Sequence, residues 1–90
     1  MIESNVKIIN PLGLHARAAA QLVRLAGTFK SKIQLIRQDN AVVADAKSIL
    51  SVLTLAASKG TKLQLFIEGI DETAATQAIK ELIENGFGEI

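Results

Sequence analysis

The chain has 90 residues, 49% of them hydrophobic, and a formal charge of +1, which is enough for a compact unit with its own core; one domain over residues 1–90 is the expectation. It contains no cysteine, which excludes disulfides, thiolate metal sites and catalytic thiols. Near-neutral charge, with Phe29, Phe66 and Phe87 as the only aromatic residues, supplies neither a basic stripe nor a stacking platform, so no nucleic-acid partner is expected.

From Ile2 to Ile9, the residues Ile2, Ser4, Val6 and Ile8 share one face while Glu3, Asn5 and Lys7 share the other, the period of a half-buried strand. Asn10-Pro11-Leu12-Gly13 then breaks the pattern. From Ala16 to Ala26 the period lengthens, with Ala19, Leu22, Val23 and Ala26 on one side of a helix, and Gly27 suits its end. Lys32 to Arg37 alternates around Ile33 and Leu35, Gln38-Asp39-Asn40 reads as a turn, and Ala41 to Ala44 supplies the second strand of a hairpin. Ser48 caps a short helix reaching about Ala57, and after Lys59-Gly60 the alternation of Leu63, Leu65 and Ile67 marks a strand. The last helix opens with Asp71 as N-cap, runs through Ala75, Ala78, Ile79 and Leu82, and ends near Asn85-Gly86.

The order is thus β-α-β-β-α-β-α, an α+β pattern. Amphipathic helices and one-sided strands favour two layers, with the helices covering one face of the sheet and the other face open to water. The start MIESNVKII has an early acid and no signal-like apolar core, and no run of about 18 apolar residues occurs. A cytoplasmic protein with no membrane insertion is expected.

His15 is the only histidine, placed between a Pro/Gly loop and the first residues of a helix. Unpaired backbone N–H groups and the positive end of the helix dipole gather there and favour an anion. Arg17 adds a planar fork of donors matched to phosphate oxygens, and Arg24 adds to the positive field. A neutral imidazole beside an anion site points to phosphoryl transfer through a covalent phosphohistidine, chemistry that depends chiefly on in-line positioning and charge stabilisation. A lone histidine with a nearby arginine is equally the signature of a helix cap and a solvated cation, and on those two residues alone the plainer account is preferred.

The wider pattern changes that balance. Asn10-Pro11-Leu12-Gly13-Leu14-His15-Ala16-Arg17-Ala18-Ala19 resembles the active-site loop of the HPr family, the histidine-containing phosphocarriers of the bacterial phosphoenolpyruvate-dependent phosphotransferase system. The resemblance extends over Ala46-Lys47-Ser48-Ile49-Leu50, Lys59-Gly60 and Glu68-Gly69. It implies an HPr-like open-faced β-sandwich, a four-stranded antiparallel sheet with three helices on one face. It also implies phosphorylation of His15 on Nδ1 by phospho-enzyme I, stabilisation of the phosphate by Arg17, and delivery to an enzyme IIA-type acceptor, with no cofactor and no independent turnover. Many family members carry proline after the arginine, where this chain has Ala18; alanine starts a helix well.

The helix after Ser48 is too apolar for one buried stripe, since Val52, Leu55 and Ala56 form one set and Ile49, Leu50 and Leu53 another. Spacing alone leaves open whether both sets are core. The resemblance implies that Ile49, Leu50 and Leu53, together with Arg17, Ala20 and Arg24, dock on partner proteins. It also implies that Ser48 is a regulatory site for an HPr kinase/phosphorylase, although serine is an ordinary N-cap. Two other functions stay open: a nitrogen-related HPr paralogue with a regulatory output, and a non-catalytic anion-binding or interaction domain. One histidine without cysteines argues against a metal site, and Asp39, Asp45, Glu68, Asp71 and Glu72 read as turns, caps and solvated faces, not as a hydrolase constellation.

Overall fold

The computed structural model describes residues 1–89. In chain order they form β1 (Ile2–Lys7), α1 (Ala16–Ala26), β2 (Lys32–Arg37), β3 (Val43–Asp45), α2 (Ile49–Thr54), β4 (Lys62–Glu68) and α3 (Glu72–Glu84), followed by a 3-10 turn at Gly86–Gly88. The sheet order is β1-β4-β2-β3 with every neighbouring pair antiparallel. Both β1 and β2 run against β4 and so are parallel to each other, with α1 as their crossover; β3 and β4 are likewise parallel, flank β2, and are joined through α2. The four-stranded antiparallel sheet, the three helices and the expected element order are all present.

Register explains the core. Val6 pairs with Leu63, Ile33 with Ile67, and Leu35 with both Leu65 and Ala44, so one face of the sheet is a continuous apolar surface. Ala19, Leu22 and Ala26 of α1, Val52 of α2, and Ala75, Ile79 and Ile83 of α3 are buried in the same cluster. Glu3, Asn5, Lys7, Lys32 and Lys62, at alternate strand positions, are exposed.

Three element boundaries and the buried face of one helix differ from the sequence expectation, each for a physical reason. β1 ends at Lys7, yet Ile8 stays fully buried because its N–H donates to Thr61 O and its carbonyl accepts from Gly60 N. β3 is displaced from residues 41–44 to Val43–Asp45: Ala41 takes φ +58 to close the hairpin, and small Ala44, not either valine, faces Leu35 in the core. α2 stops at Thr54, since Leu55 is its C-cap and Ala56 is left-handed and exposed, outside the apolar set assigned to it. In α3 the innermost positions are Ala75, Ile79 and Ile83, with Ala78 and Leu82 half-buried. Asp71 occupies the N-cap position of α3 without capping it; its carboxylate accepts from Lys30 N, Ser31 N and Ser31 Oγ across the fold.

Candidate functional site around His15

The loop before α1 is built from its backbone outward. Gly13 N donates to Asn10 O at 3.1 Å, and Leu14 N donates to Ala57 O at 2.8 Å, tying the loop to the segment that follows α2. Gly13 has φ +66, and a Cβ there would stand 2.5 Å from Ala57 O, so only glycine permits this approach. Asn10 is fully buried, and its Nδ2 donates to Gly13 O at 2.8 Å, closing the loop on itself.

His15 follows in an extended conformation, φ −73 and ψ 178, as the N-cap residue of α1. Its carbonyl accepts from Ala19 N at 2.8 Å, but its side chain makes no capping bond. The first turn of α1 contains no acidic residue to neutralise the positive end of the dipole. Ala18 is fully buried inside that turn, and the helix starts at Ala16 without a proline.

The imidazole is engaged from the opposite end of the chain. His15 Nε2 pairs with Glu89 Oε2, while Glu89 Oε1 accepts from Asn10 Nδ2 at 2.9 Å. The Asn10 amide, then the imidazole, and in addition the charge of Arg17, hold the Glu89 carboxyl below its ordinary value of 4.5. Phe87 is buried in the core cluster with φ +56, so the tail that carries Glu89 is anchored two residues earlier.

Of the residues singled out from the sequence, His15 is half-buried, with 23% of its side chain exposed, and Arg17 and Arg24 are exposed. Arg17 makes no hydrogen bond or ion pair among the described residues, and Ala20 is half-buried. The two apolar sets of α2 separate as far as Val52 and Leu55 are concerned, which are buried, whereas Ile49, Leu50 and Leu53 are 40%, 75% and 36% exposed. Ser48 Oγ accepts from Ser51 N at 3.3 Å, a cap on α2. Sequence reasoning did not single out Asn10 or Glu89 as side chains of this site. The available cue was the run Gly86-Phe87-Gly88-Glu89, an apolar anchor between two flexible residues with an acid beyond it.

Three surface clefts lie away from His15, one of them beside β1 among Asn5, Lys7, Gln38, Lys62 and Glu84. Among the described residues no group of three or more His, Cys, Asp or Glu is placed to hold a metal ion. No described helix is long and apolar enough to cross a membrane.

Comparison with known proteins places this geometry in a family. Residues 2–85 match the family model described as the PTS HPr component phosphorylation site. The chain is 44% identical over 89 residues to the phosphocarrier protein HPr of Treponema pallidum (strain Nichols), covering 99% of both chains. It is 47% identical over 89 residues to the HPr of Cupriavidus necator, covering 99% of this chain and 98% of that one. The crystal structure of HPr-C-His from Thermoanaerobacter tengcongensis superposes with a TM-score of 0.94 at 40% identity, over 100% of this chain and 99% of that one. With a lone histidine at the head of α1, an exposed arginine two residues on and this sheet order, the chain belongs to the HPr family, the phosphocarriers of the phosphotransferase system.

Proposed function

We propose that this chain accepts a phosphoryl group on His15 Nδ1 from phospho-enzyme I and passes it to an enzyme IIA-type acceptor, working in the cytoplasm as a single domain over residues 1–90. The observation that carries the reading is the position of His15, half-buried at the N-terminus of the eleven-residue α1, whose first turn carries no acid, with exposed Arg17 two residues on. A neutral imidazole there is a nucleophile already placed at an anion-binding helix end. As the phosphoryl group arrives, the first-turn amides and the Arg17 guanidinium stabilise charge on its oxygens.

The surroundings support a macromolecular donor. Exposed Ile49, Leu50 and Leu53, with Ala20, Arg17 and Arg24, make the proposed docking face: α1 and α2 pack together, and the His15 loop is bonded to the segment after α2. Ser48, a half-buried cap at the start of that apolar helix, is the proposed regulatory site for an HPr kinase/phosphorylase; a phosphate there sets charge beside the docking residues and opposes partner binding.

The test is incubation of wild type and His15→Ala with enzyme I, Mg²⁺ and phosphoenolpyruvate, followed by intact-mass measurement. Wild type is expected to gain one phosphoryl group that is acid-labile and base-stable, and His15→Ala none. Absence of the gain with several competent donors, a nitrogen-branch enzyme I included, overturns the carrier reading in favour of an anion-binding or interaction domain.

A further inference from the structure

Resting on the carrier reading above, we propose that Glu89 is a positioning residue for His15, holding the imidazole as its Nε2–H tautomer and leaving the Nδ1 lone pair free for phosphorus. The assignment follows from what each group can do. An ionised carboxylate only accepts hydrogen bonds, so the ring nitrogen that faces Glu89 Oε2 must be the donor. A neutral imidazole has a single N–H, and with that proton on Nε2 the other nitrogen is bare.

The carboxylate is itself fixed. Its second oxygen accepts from Asn10 Nδ2 at 2.9 Å, and the same Nδ2 bonds Gly13 O at 2.8 Å. Asn10 is fully buried, and its Oδ1 has no partner among the described residues, so the amide is oriented by its donor end alone. From the other direction Phe87, packed in the core, anchors the tail. Thus the loop that leads into His15 and the end of the chain converge on one carboxylate, and that carboxylate sets the ring.

The chemistry balances without an added reagent. The Nδ1 lone pair forms the new bond to phosphorus, the donor's bond to that phosphorus breaks, and its electron pair leaves with the donor. No proton has to depart from Nδ1. The proton on Nε2 stays where it is, and the positive charge that grows on the ring faces the Glu89 carboxylate, as in other carboxylate–imidazole pairs. Transfer to the acceptor runs the same steps in reverse.

The experiment uses the full chain with ring-¹⁵N-labelled histidine, as wild type, Glu89→Ala and Glu89→Gln. Nitrogen and proton NMR at neutral pH is expected to show, in wild type, an unprotonated Nδ1 and a downfield, slowly exchanging Nε2–H. That proton signal is lost in Glu89→Ala and retained in Glu89→Gln, whose amide oxygen accepts the same bond. Phosphorylation by enzyme I and phosphoenolpyruvate is expected to slow about tenfold in Glu89→Ala, in kcat more than in KM, with Glu89→Gln intermediate. Thermal melts are expected to show all three proteins folded well above the assay temperature, with the variants slightly less stable than wild type because the Asn10 and His15 bonds are weakened or lost. An Nδ1–H signal in wild type overturns the proposal, as does a Glu89→Ala protein phosphorylated as fast as wild type. A faster Glu89→Ala protein overturns it too, because the tail is then a cover over the histidine. Wild type that is not phosphorylated at all removes the carrier reading and this proposal together, whereas a fast Glu89→Ala beside a competent wild type removes this proposal only.

Discussion

Gly13 shows how closely the placement of His15 depends on a single side chain that is not there. Its φ of +66 disfavours any L-residue, and an added Cβ would lie 2.5 Å from Ala57 O and 2.8 Å from Ser58 Cα, two backbone atoms with no rotamer to yield. Gly13→Ala is therefore expected to destabilise the fold by about 1–3 kcal/mol in chemical denaturation. It should also slow phosphorylation, since the Leu14 N to Ala57 O bond that sets the loop must lengthen. Gly60→Ala is the matched control. Its φ is +94, but nothing lies within 4 Å of its added Cβ, so it carries backbone strain without displacing the loop. Equal phosphorylation rates for the two variants would show that the Gly13 contact does not position His15.

At the scale of elements, Asp71 shows where a local rule gives way to a tertiary one. An aspartate before an amphipathic run reads as an N-cap, yet its carboxylate bridges to Lys30 and Ser31, about 40 positions earlier, and joins the start of α3 to the strand entry at β2. The Ser31 hydroxyl first, and then the Lys30 amide, hold the Asp71 carboxyl below its ordinary 3.8. A depressed folded value means stability that is complete above the unfolded value and is lost as pH falls through the folded one. Ser31→Ala is accordingly expected to lower stability at neutral pH and to flatten the acid limb of the stability curve, with the gap from wild type closing below about pH 4. Urea melts between neutral and strongly acidic pH measure this, and a gap that is the same at every pH would assign the effect to packing alone. The same contrast of local and distant partners explains what could be read in advance. The periods of α1, β2 and β4 were legible because each buries one face, and His15 and Arg17 because a loop-to-helix junction is a local pattern. Glu89 was not, because its partners His15 and Asn10 lie 74 and 79 positions away. The offset of β3 was hidden for a related reason: strand preference favours Val42 and Val43, whereas register selects Ala44.

Over the whole molecule, apolar residues divide between the core and the surface, and the two populations answer to different measurements. Leu65, in the middle of β4, one of the two inner strands, is fully buried in the core cluster; Leu65→Ala leaves a cavity and is expected to lower stability by about 2–5 kcal/mol. Leu50, 75% exposed on α2, has little packing to lose, so Leu50→Ser is expected to stay within about 0.5 kcal/mol of wild type. Their effects on the relay should be reversed. A chain with a net charge of only +1 has little long-range field with which to draw in a partner, so affinity must come from contact area, and exposed leucine and isoleucine side chains supply it. Leu50→Ser is thus expected to raise the KM of enzyme I for this chain several-fold with kcat nearly unchanged, because docking is weakened while the His15–Glu89 pair is untouched. Leu65→Ala, assayed well below its melting temperature, should leave KM close to that of wild type. If the Leu50→Ser protein keeps the wild-type KM, the outward face of α2 is not where the donor docks, and its exposed residues belong to some other contact.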